Sequence, residues 1–542
     1  MSESTTDIQL TSLQTINLFA RLRWTMLRGV LRTNGAQKWA VIVGFVASWA
    51  IGLVAGTTLL IAGRRSDDLV TLFVIATTAL TLIVIMVGII AGVTQPVDPR
   101  VLATEPITDG QLGLGLLSAS AVGPPGLSVL LVAIGLFAGA VRGPLSVVPT
   151  LLAVIAFMLT LLLVSRSTIN ALGLFATRFP RSGQLVVGLS SLMLYAALQL
   201  LPRIATRLDT EEQRDVANIL VWLPPGQLGR ALSLVGDDPG RALLHVAAGA
   251  AWLVPLVWVF TWTTRRLIVS VKHTESRKIP KHGEDRRPLT AVTRWMCGKG
   301  AVGAVAWRGV LTRMRTPRTA LETFTGAGIG LAIVLVPALT RSEAGAGAVL
   351  VGGAVQLAVL FIAGNSFGSD GPALANELLT GVDPGVLVRA KARSVIVVAS
   401  PLAIIGPLIA ASVTGEWNYL LAGVLVGIGG LLGGTGGAMV QSTVVPIAIP
   451  ESDNPLAGGD SGKGCFAGLI LGGVLIALAV VTLPVALALL WAVNEQSVGL
   501  VTIFALATLG AGVLVLRGGI HFATTRWHRK GAEIYAAVVP AQ

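Results

Sequence analysis

Charge is what this sequence has least of. Only 12% of its 542 residues are Asp, Glu, Lys or Arg, against roughly 25% in globular domains. Hydrophobic residues make up 53% and the mean hydropathy is +0.78, so a soluble globular protein is excluded. The two cysteines, Cys297 and Cys465, are too few and too far apart for a disulfide framework or a zinc site. No short apolar stretch followed by a small-residue cleavage site opens the chain, so a secretory leader is not expected.

Catalytic and nucleotide-binding patterns are missing as well. The closest approach to a phosphate-binding loop is the run Ala457 to Gly464. A P-loop needs Gly five residues before its Gly-Lys pair and Ser or Thr after it, to cradle phosphate and hold Mg²⁺. Those positions are Ala457 and Gly464 here, which leaves a flexible loop around Lys463. His245, His273, His282, His521 and His528 form no His-Glu-x-x-His or similar ligand set. Within the apolar stretches the polar groups expected are uncharged, such as Gln199, Gln356 and Asn365. Buried charges mark ion and proton paths in membranes, so their scarcity argues against a proton- or sodium-coupled pump and against a channel lined by charged rings.

Long apolar runs are present instead. A helix needs about 20 apolar residues to cross a bilayer, and such segments fall near 40–62, 69–93, 115–138, 146–165, 185–202 and 243–263, then 321–340, 348–367, 394–413, 418–445, 467–492 and 497–517. The fold class expected is therefore all-α integral membrane, with about twelve spans. The 64 glycines suit such a bundle, where small residues let helix backbones approach closely. One of the richest runs, Gly427 to Gly437, is either a packing face or a broken, substrate-binding span.

Positive residues collect on cytoplasmic loops. The basic clusters are Arg21 to Lys38, Arg265 to Arg318 and Arg526 to Lys530. Placing all three inside puts every lysine inside too: Lys38, Lys272, Lys278, Lys281, Lys299, Lys391, Lys463 and Lys530. Both termini are then cytoplasmic. The net charge of +13 is topogenic charge facing anionic lipid headgroups, and no nucleic-acid partner is expected.

The chain divides into two halves of about six spans each, and both halves repeat two local patterns. Arg28-Gly29-Val30-Leu31 precedes the first span and Arg308-Gly309-Val310-Leu311 the seventh. Each lies in a basic amphipathic stretch, Leu18 to Arg32 and Val302 to Arg315, that suits the membrane interface with Trp24 or Trp307 at headgroup depth. After the second span of each half comes D-x-x-x-L-A-[TN]-E-x-x-T, as Asp98 to Thr108 and as Asp370 to Thr380. The shared positions are Asp98, Leu102, Glu105 and Thr108 in one copy and Asp370, Leu374, Glu377 and Thr380 in the other.

These features together resemble the permease subunits of ABC-2-type (type V) exporters, in the fused two-half form of high-GC Gram-positive bacteria. The resemblance spans nearly the whole chain through loose motifs. It implies that residues 1–39 and 264–320 carry amphipathic elbow helices, marked by Trp24, Arg28 and Arg32 and by Trp307, Arg308 and Arg313. It implies six-helix halves at 40–263 and 321–517 and a cytoplasmic tail at 518–542. The two repeated turns become coupling helices docked on a separate ATP-binding subunit, with Glu105 and Glu377 facing its cationic groups. Two copies of that subunit would bind ATP and Mg²⁺, and no cofactor would sit on this chain, which is not itself an enzyme. The cargo implied by nearly charge-free spans is hydrophobic or amphipathic, moved out across the plasma membrane.

One departure from internal symmetry stands out. The first half has a long connection, residues 203–242, with a polar segment containing Asp209, Glu211 and Glu212, then Trp222-Leu223-Pro224-Pro225. It is expected outside the cell, as an extracellular cap or gate. Other function classes compatible with the sequence are a secondary transporter with about twelve spans, a scaffold or sensor paired with an ATPase, and a lipid-modifying enzyme.

Overall fold

The computed structural model describes residues 11–32, 36–91, 108–179, 210–270, 288–315, 317–340, 345–448 and 461–539, with scattered positions between 186 and 197. The described residues are helical, with no strand among them. Nine helical stretches among them are long and apolar enough to cross a membrane, and a bent pair makes a tenth. The chain is an all-α, multi-pass membrane protein. Two compact units divide it: Met1–Leu174 with Leu200–Thr274 and Leu456–Phe466, and Phe175–Gln199 with Glu275–Pro455 and Ala467–Gln542.

The first unit holds α1 (Ser12–Arg32), α2 (Ala36–Arg65), α3 (Leu69–Ala91), α4 (Asp109–Ala121), α5 (Pro124–Ala140), most of α6 (Val147–Arg178), α7 (Thr210–Leu220), α8 (Pro224–Leu234), α9 (Pro239–Ala251) and α10 (Leu253–Ser270). Thr11 and Gln14 open α1 with a reciprocal pair, Gln14 Oε1 accepting from Thr11 N at 2.9 Å and Thr11 Oγ1 from Gln14 N at 3.3 Å. Two orphan amides of the first turn are thereby satisfied. Phe19, Arg23 and Leu27 recur every fourth residue on the buried face of α1, while Trp24 is about half exposed. Phe19 lies against Gly115 of α4. Helices α2 and α5 meet backbone to backbone, and a Cβ on Gly135 would lie 2.2 Å from the Gly56 carbonyl oxygen. Phe73, Leu136, Phe157, Leu228 and Leu232 fill the core.

The span expected at 115–138 is not straight. Helices α4 and α5 meet at 77°. The break falls at Gly123, whose φ of +130° only glycine adopts readily, and the Pro124-Pro125 pair that follows cannot continue a helix from behind it.

The second unit holds α11 (Pro288–Cys297), α12 (Gly300–Arg315), α13 (Pro317–Thr340), α14 (Gly345–Leu350), α15 (Val355–Ala363), α16 (Ala375–Leu379), α17 (Pro384–Thr414), α18 (Leu420–Val444), α19 (Ser461–Asn494, its first turns counted with the other unit) and α20 (Val498–Val538). The expected seventh span, 321–340, is covered by α13, which is not among the nine. The expected span at 185–202 lies mostly outside the described residues. The run Gly427 to Gly437 is unbroken helix inside α18. Its glycines are a packing face: Cβ atoms on Gly512 and Gly519 of α20 would lie 2.2 and 2.4 Å from the carbonyl oxygens of Gly429 and Gly436.

Two expectations change. The spanning helices run past the apolar stretches that announce them, so they do contain charge: Arg166 in α6, and Arg389, Lys391 and Arg393 in α17. Helical hydrogen bonding continues through a charged residue wherever that residue reaches a partner or an interface. Residues 518–538 of the expected tail are likewise helical, with a kink at Lys530. Ala523, Trp527, Ile534 and Val538 are buried in the second unit's core.

Candidate functional site

The repeated turn of the second unit is the best-defined polar construction among the described residues. It joins α15 to α17 and packs beside α12, which carries the second of the repeated basic amphipathic stretches. After Ala363 the chain runs through turns from Gly364 to Asp370, and side chains replace the lost helical hydrogen bonds. Asn365 acts as a strand-like partner for Ile447: its Nδ2 donates to Ile447 O at 3.0 Å and its Oδ1 accepts from Ile447 N at 2.9 Å. Phe367 N donates to Ser442 Oγ at 2.9 Å. The Phe367 ring is buried, 5.1 Å from Trp527 of α20. A 3-10 turn, Gly371–Leu374, leads into α16, and Gly381 with a φ of +70° ends the excursion. Asp383 then caps α17, accepting from Gly385 N at 2.8 Å and Val386 N at 3.2 Å, with Pro384 at the first helical position.

Three of the four positions that the two sequence copies share form the inner face of this turn. Asp370, Leu374 and Glu377 are all buried. Pro372, Ala373, Asn376, Leu379 and Thr380 point outward, and Leu379 is 85% exposed. Glu377 therefore does not offer its carboxylate to the surface. Its Oε1 lies 3.1 Å from Arg308 Nη1 of α12, so the cation that meets it belongs to this chain. Arg308 also donates to Ala373 O at 3.3 Å. Thr380 Oγ1 donates back to Glu377 O at 2.8 Å.

Behind this pair is a second one. Asp370 at the start of the turn is ion-paired with Lys391 of α17, both side chains buried. Arg313, one turn beyond Arg308 in α12, is 5% exposed. Its guanidinium donates to Ile362 O at 2.5 Å and to Ser366 Oγ at 2.7 Å. Burial pushes the Glu377 carboxyl above its ordinary range; Lys391 and Arg308 pull it down, and Asp370 adds to the rise. Glu377 Oε2 is buried without a hydrogen-bond partner, so nothing at that oxygen offsets the cost of burial. Helices α12 and α17 and the turn are thus fastened by three buried or half-buried charged contacts.

The other expected site residues are distributed as follows. Asp98, Leu102 and Glu105 lie outside the described residues. Thr108 is the N-cap of α4 in a capping box with Gln111, Gln111 Oε1 accepting from Thr108 N at 2.9 Å. Arg28 and Arg32 are exposed on α1. Trp307 is half-buried against the cluster of Cys297, Ala306, Val310 and Val397. Asp209 falls outside the described residues. Glu211 and Glu212 occupy the first turn of α7, where acids favour the helix dipole. Arg214 of that helix pairs with Asp68 at 3.0 Å. Pro224 and Pro225 open α8, Pro225 is buried, and its carbonyl accepts from Thr77 Oγ1 at 2.9 Å. Trp222 is 79% exposed. The connection 203–242 thus contains a helix packed into the first unit, fixed where Gly229 meets Phe73 O.

Sequence patterns passed over Lys391, Ser366, Ser442 and Trp527. Lys391 was legible only as one more basic residue; the signal for it was the Asp-Pro start of α17, which places Lys391 two turns into a helix that the turn must pack against. Comparison with protein-family models, with curated proteins and with solved structures gives no match.

Proposed function

We propose that this chain is the membrane-spanning permease of an ABC exporter of the ABC-2 type, powered by ATP hydrolysed on two copies of a separate ATP-binding subunit. The observation that carries this reading is the second repeated turn. It projects an exposed Leu379 from a base clamped by Arg308–Glu377 and Lys391–Asp370. A rigid base under an exposed apolar tip suits a part that is pushed by a partner and passes the push to its own helices. Leu374 and the paired carboxylates hold the turn; Leu379, Asn376 and Thr380 would meet the partner. By the repeat, Asp98 to Thr108 supplies the second docking turn.

In this reading about twelve helices cross the plasma membrane, with both termini and both turns cytoplasmic. Closure of the ATPase pair drives the halves between inward- and outward-open arrangements. The cargo is hydrophobic or amphipathic, because apolar helix faces leave few fixed charges for a polar one. The helix-packed connection around α7 and α8 supplies an outer cap on the first half only.

The test is co-purification of the tagged full chain with its ATP-binding partner, followed by ATPase assay in vesicles. Partner capture and cargo-stimulated ATPase support the reading. Absence of any ATP-binding protein from the purified complex, together with transport undiminished in the absence of ATP, overturns it.

A further inference from the structure

The spanning stretch Pro239–Arg266 ends in an ordered file of three side chains. Trp258, Trp262 and Arg266 of α10 recur every fourth residue and so share one face. The two indoles are stacked, with ring centroids 6.4 Å apart and planes 17° from parallel. The guanidinium carbon of Arg266 lies 5.8 Å from the centroid of the Trp262 ring. We propose that this face binds one anionic phospholipid, with the headgroup phosphate on Arg266 and an acyl chain along the two indoles.

The rotation of α10 is fixed from behind. Phe260, Thr263 and Thr264 are buried, and Thr264 Oγ1 accepts from Asn170 Nδ2 of α6 at 3.1 Å. The tryptophan face is therefore turned away from the interior of the unit, with Trp258 65% and Trp262 44% exposed. On a helix that crosses the bilayer such a face meets lipid. Arg266 stands at the last position of the apolar stretch, the depth at which arginine and tryptophan reach headgroups.

Charge selects the lipid. No Asp or Glu occurs between Asp238 and Glu275, and the partner that Arg266 has among the described residues is the Trp262 ring. A cation held over an indole keeps its N–H donors for an acceptor. A phosphate oxygen is the acceptor that the planar fork fits. A choline headgroup brings a cation of its own, and the indole of Trp262 that would receive it already holds Arg266. A lipid of net negative charge is therefore favoured over a zwitterionic one. A lone tryptophan of an aromatic belt has no such preference, because it carries no fixed cation. This inference stands on the first unit alone and is independent of the exporter reading.

The experiment uses the purified full chain, delipidated in a neutral detergent. Thermal unfolding is followed as phosphatidylglycerol, phosphatidylcholine or inorganic phosphate is added, and native mass spectrometry counts the lipids that stay bound. The expected result is a saturable rise in Tm with phosphatidylglycerol that neither phosphatidylcholine nor inorganic phosphate reproduces. Arg266→Gln is expected to raise the midpoint concentration roughly tenfold, the loss of about one charge-assisted hydrogen bond, and to retain one phosphatidylglycerol fewer. Trp49→Ala, which removes a half-exposed tryptophan of α2, is expected to leave the midpoint unchanged. If Arg266→Gln does not fold, the three additions to the unaltered protein decide. Equal rises with both lipids, or a rise with inorganic phosphate alone, overturn the proposal. So does a midpoint that Arg266→Gln leaves in place or that Trp49→Ala shifts as far; the face is then covered by unselected bilayer lipid.

Discussion

Arg308 and Glu377 lie 3.1 Å apart, and each comes from a different one of the two patterns that the halves of the sequence repeat. The elbow pattern and the turn pattern are thus two ends of one contact. The shared arginine and glutamate of the two patterns make the same pair testable in the other half.

The equivalent residues are Arg28 and Glu105. Exchanging them singly, Arg28→Glu or Glu105→Arg, is expected to lower stability, and the double exchange to restore part of it. A double-mutant cycle on thermal unfolding should return a coupling of about 0.5–3 kcal/mol. Additive effects of the two single exchanges would show that the first half does not form the contact.

Leu379 tests the exporter reading without disturbing the clamp. Because its side chain is 85% exposed, Leu379→Asp is expected to change stability by no more than about 0.5 kcal/mol. Partner binding, measured by co-purification, is expected to fall sharply. A normal yield of complex would remove Leu379 from the docking surface.

Glu377 gives a pH dependence with a definite sign. Its carboxyl titrates above the ordinary 4.5, chiefly because it is buried. Between that value and the folded one the native state binds more protons than the unfolded state, so stability falls as pH rises through the interval. Asp68 has the opposite sign. Burial opposes its ionisation, but bonds from Thr71 and Arg214 outweigh it and hold the carboxyl below 3.8. Its contribution is present above 3.8 and lost as pH falls through the folded value. The slope of Tm against pH above 4.5 should flatten in Glu377→Gln, whereas Asp68→Asn should lower Tm there and leave the slope unchanged.

Glycine positions in α20 separate packing from propensity. A Cβ on Gly512 would lie 2.2 Å from Gly429 O, whereas one on Gly510 meets nothing within 4 Å. Gly512→Ala is expected to cost about 1–3 kcal/mol through overpacking. Gly510→Ala is expected to stabilise by about 0.5–1 kcal/mol, because alanine favours the helix and orders the unfolded chain. Thermal unfolding of the two variants checks the contrast, and equal effects would mean that α18 and α20 are not in backbone contact.

The sequence by itself determined that this is an all-helical membrane protein, since apolar runs of about 20 residues are the length of a spanning helix, whereas a barrel strand needs only about 10. It also located the second basic amphipathic helix and the turn, because capping residues, prolines and basic charge mark the ends of helices locally. Periodicity did not reveal the 77° bend between α4 and α5: the expected span ran straight through the Gly123-Pro124 step, and the angle there depends on what the two arms pack against. The tertiary structure alone decided which way the repeated motif faces. Glu377 looks like a surface acid in a polar turn, and it is buried because Arg308, Lys391 and Asp370 converge on it from α12, α17 and the turn itself. Charge partners far apart in the chain leave no periodic trace, so only the folded arrangement shows which charges are spent inside and which side chain, Leu379, is left to meet something else.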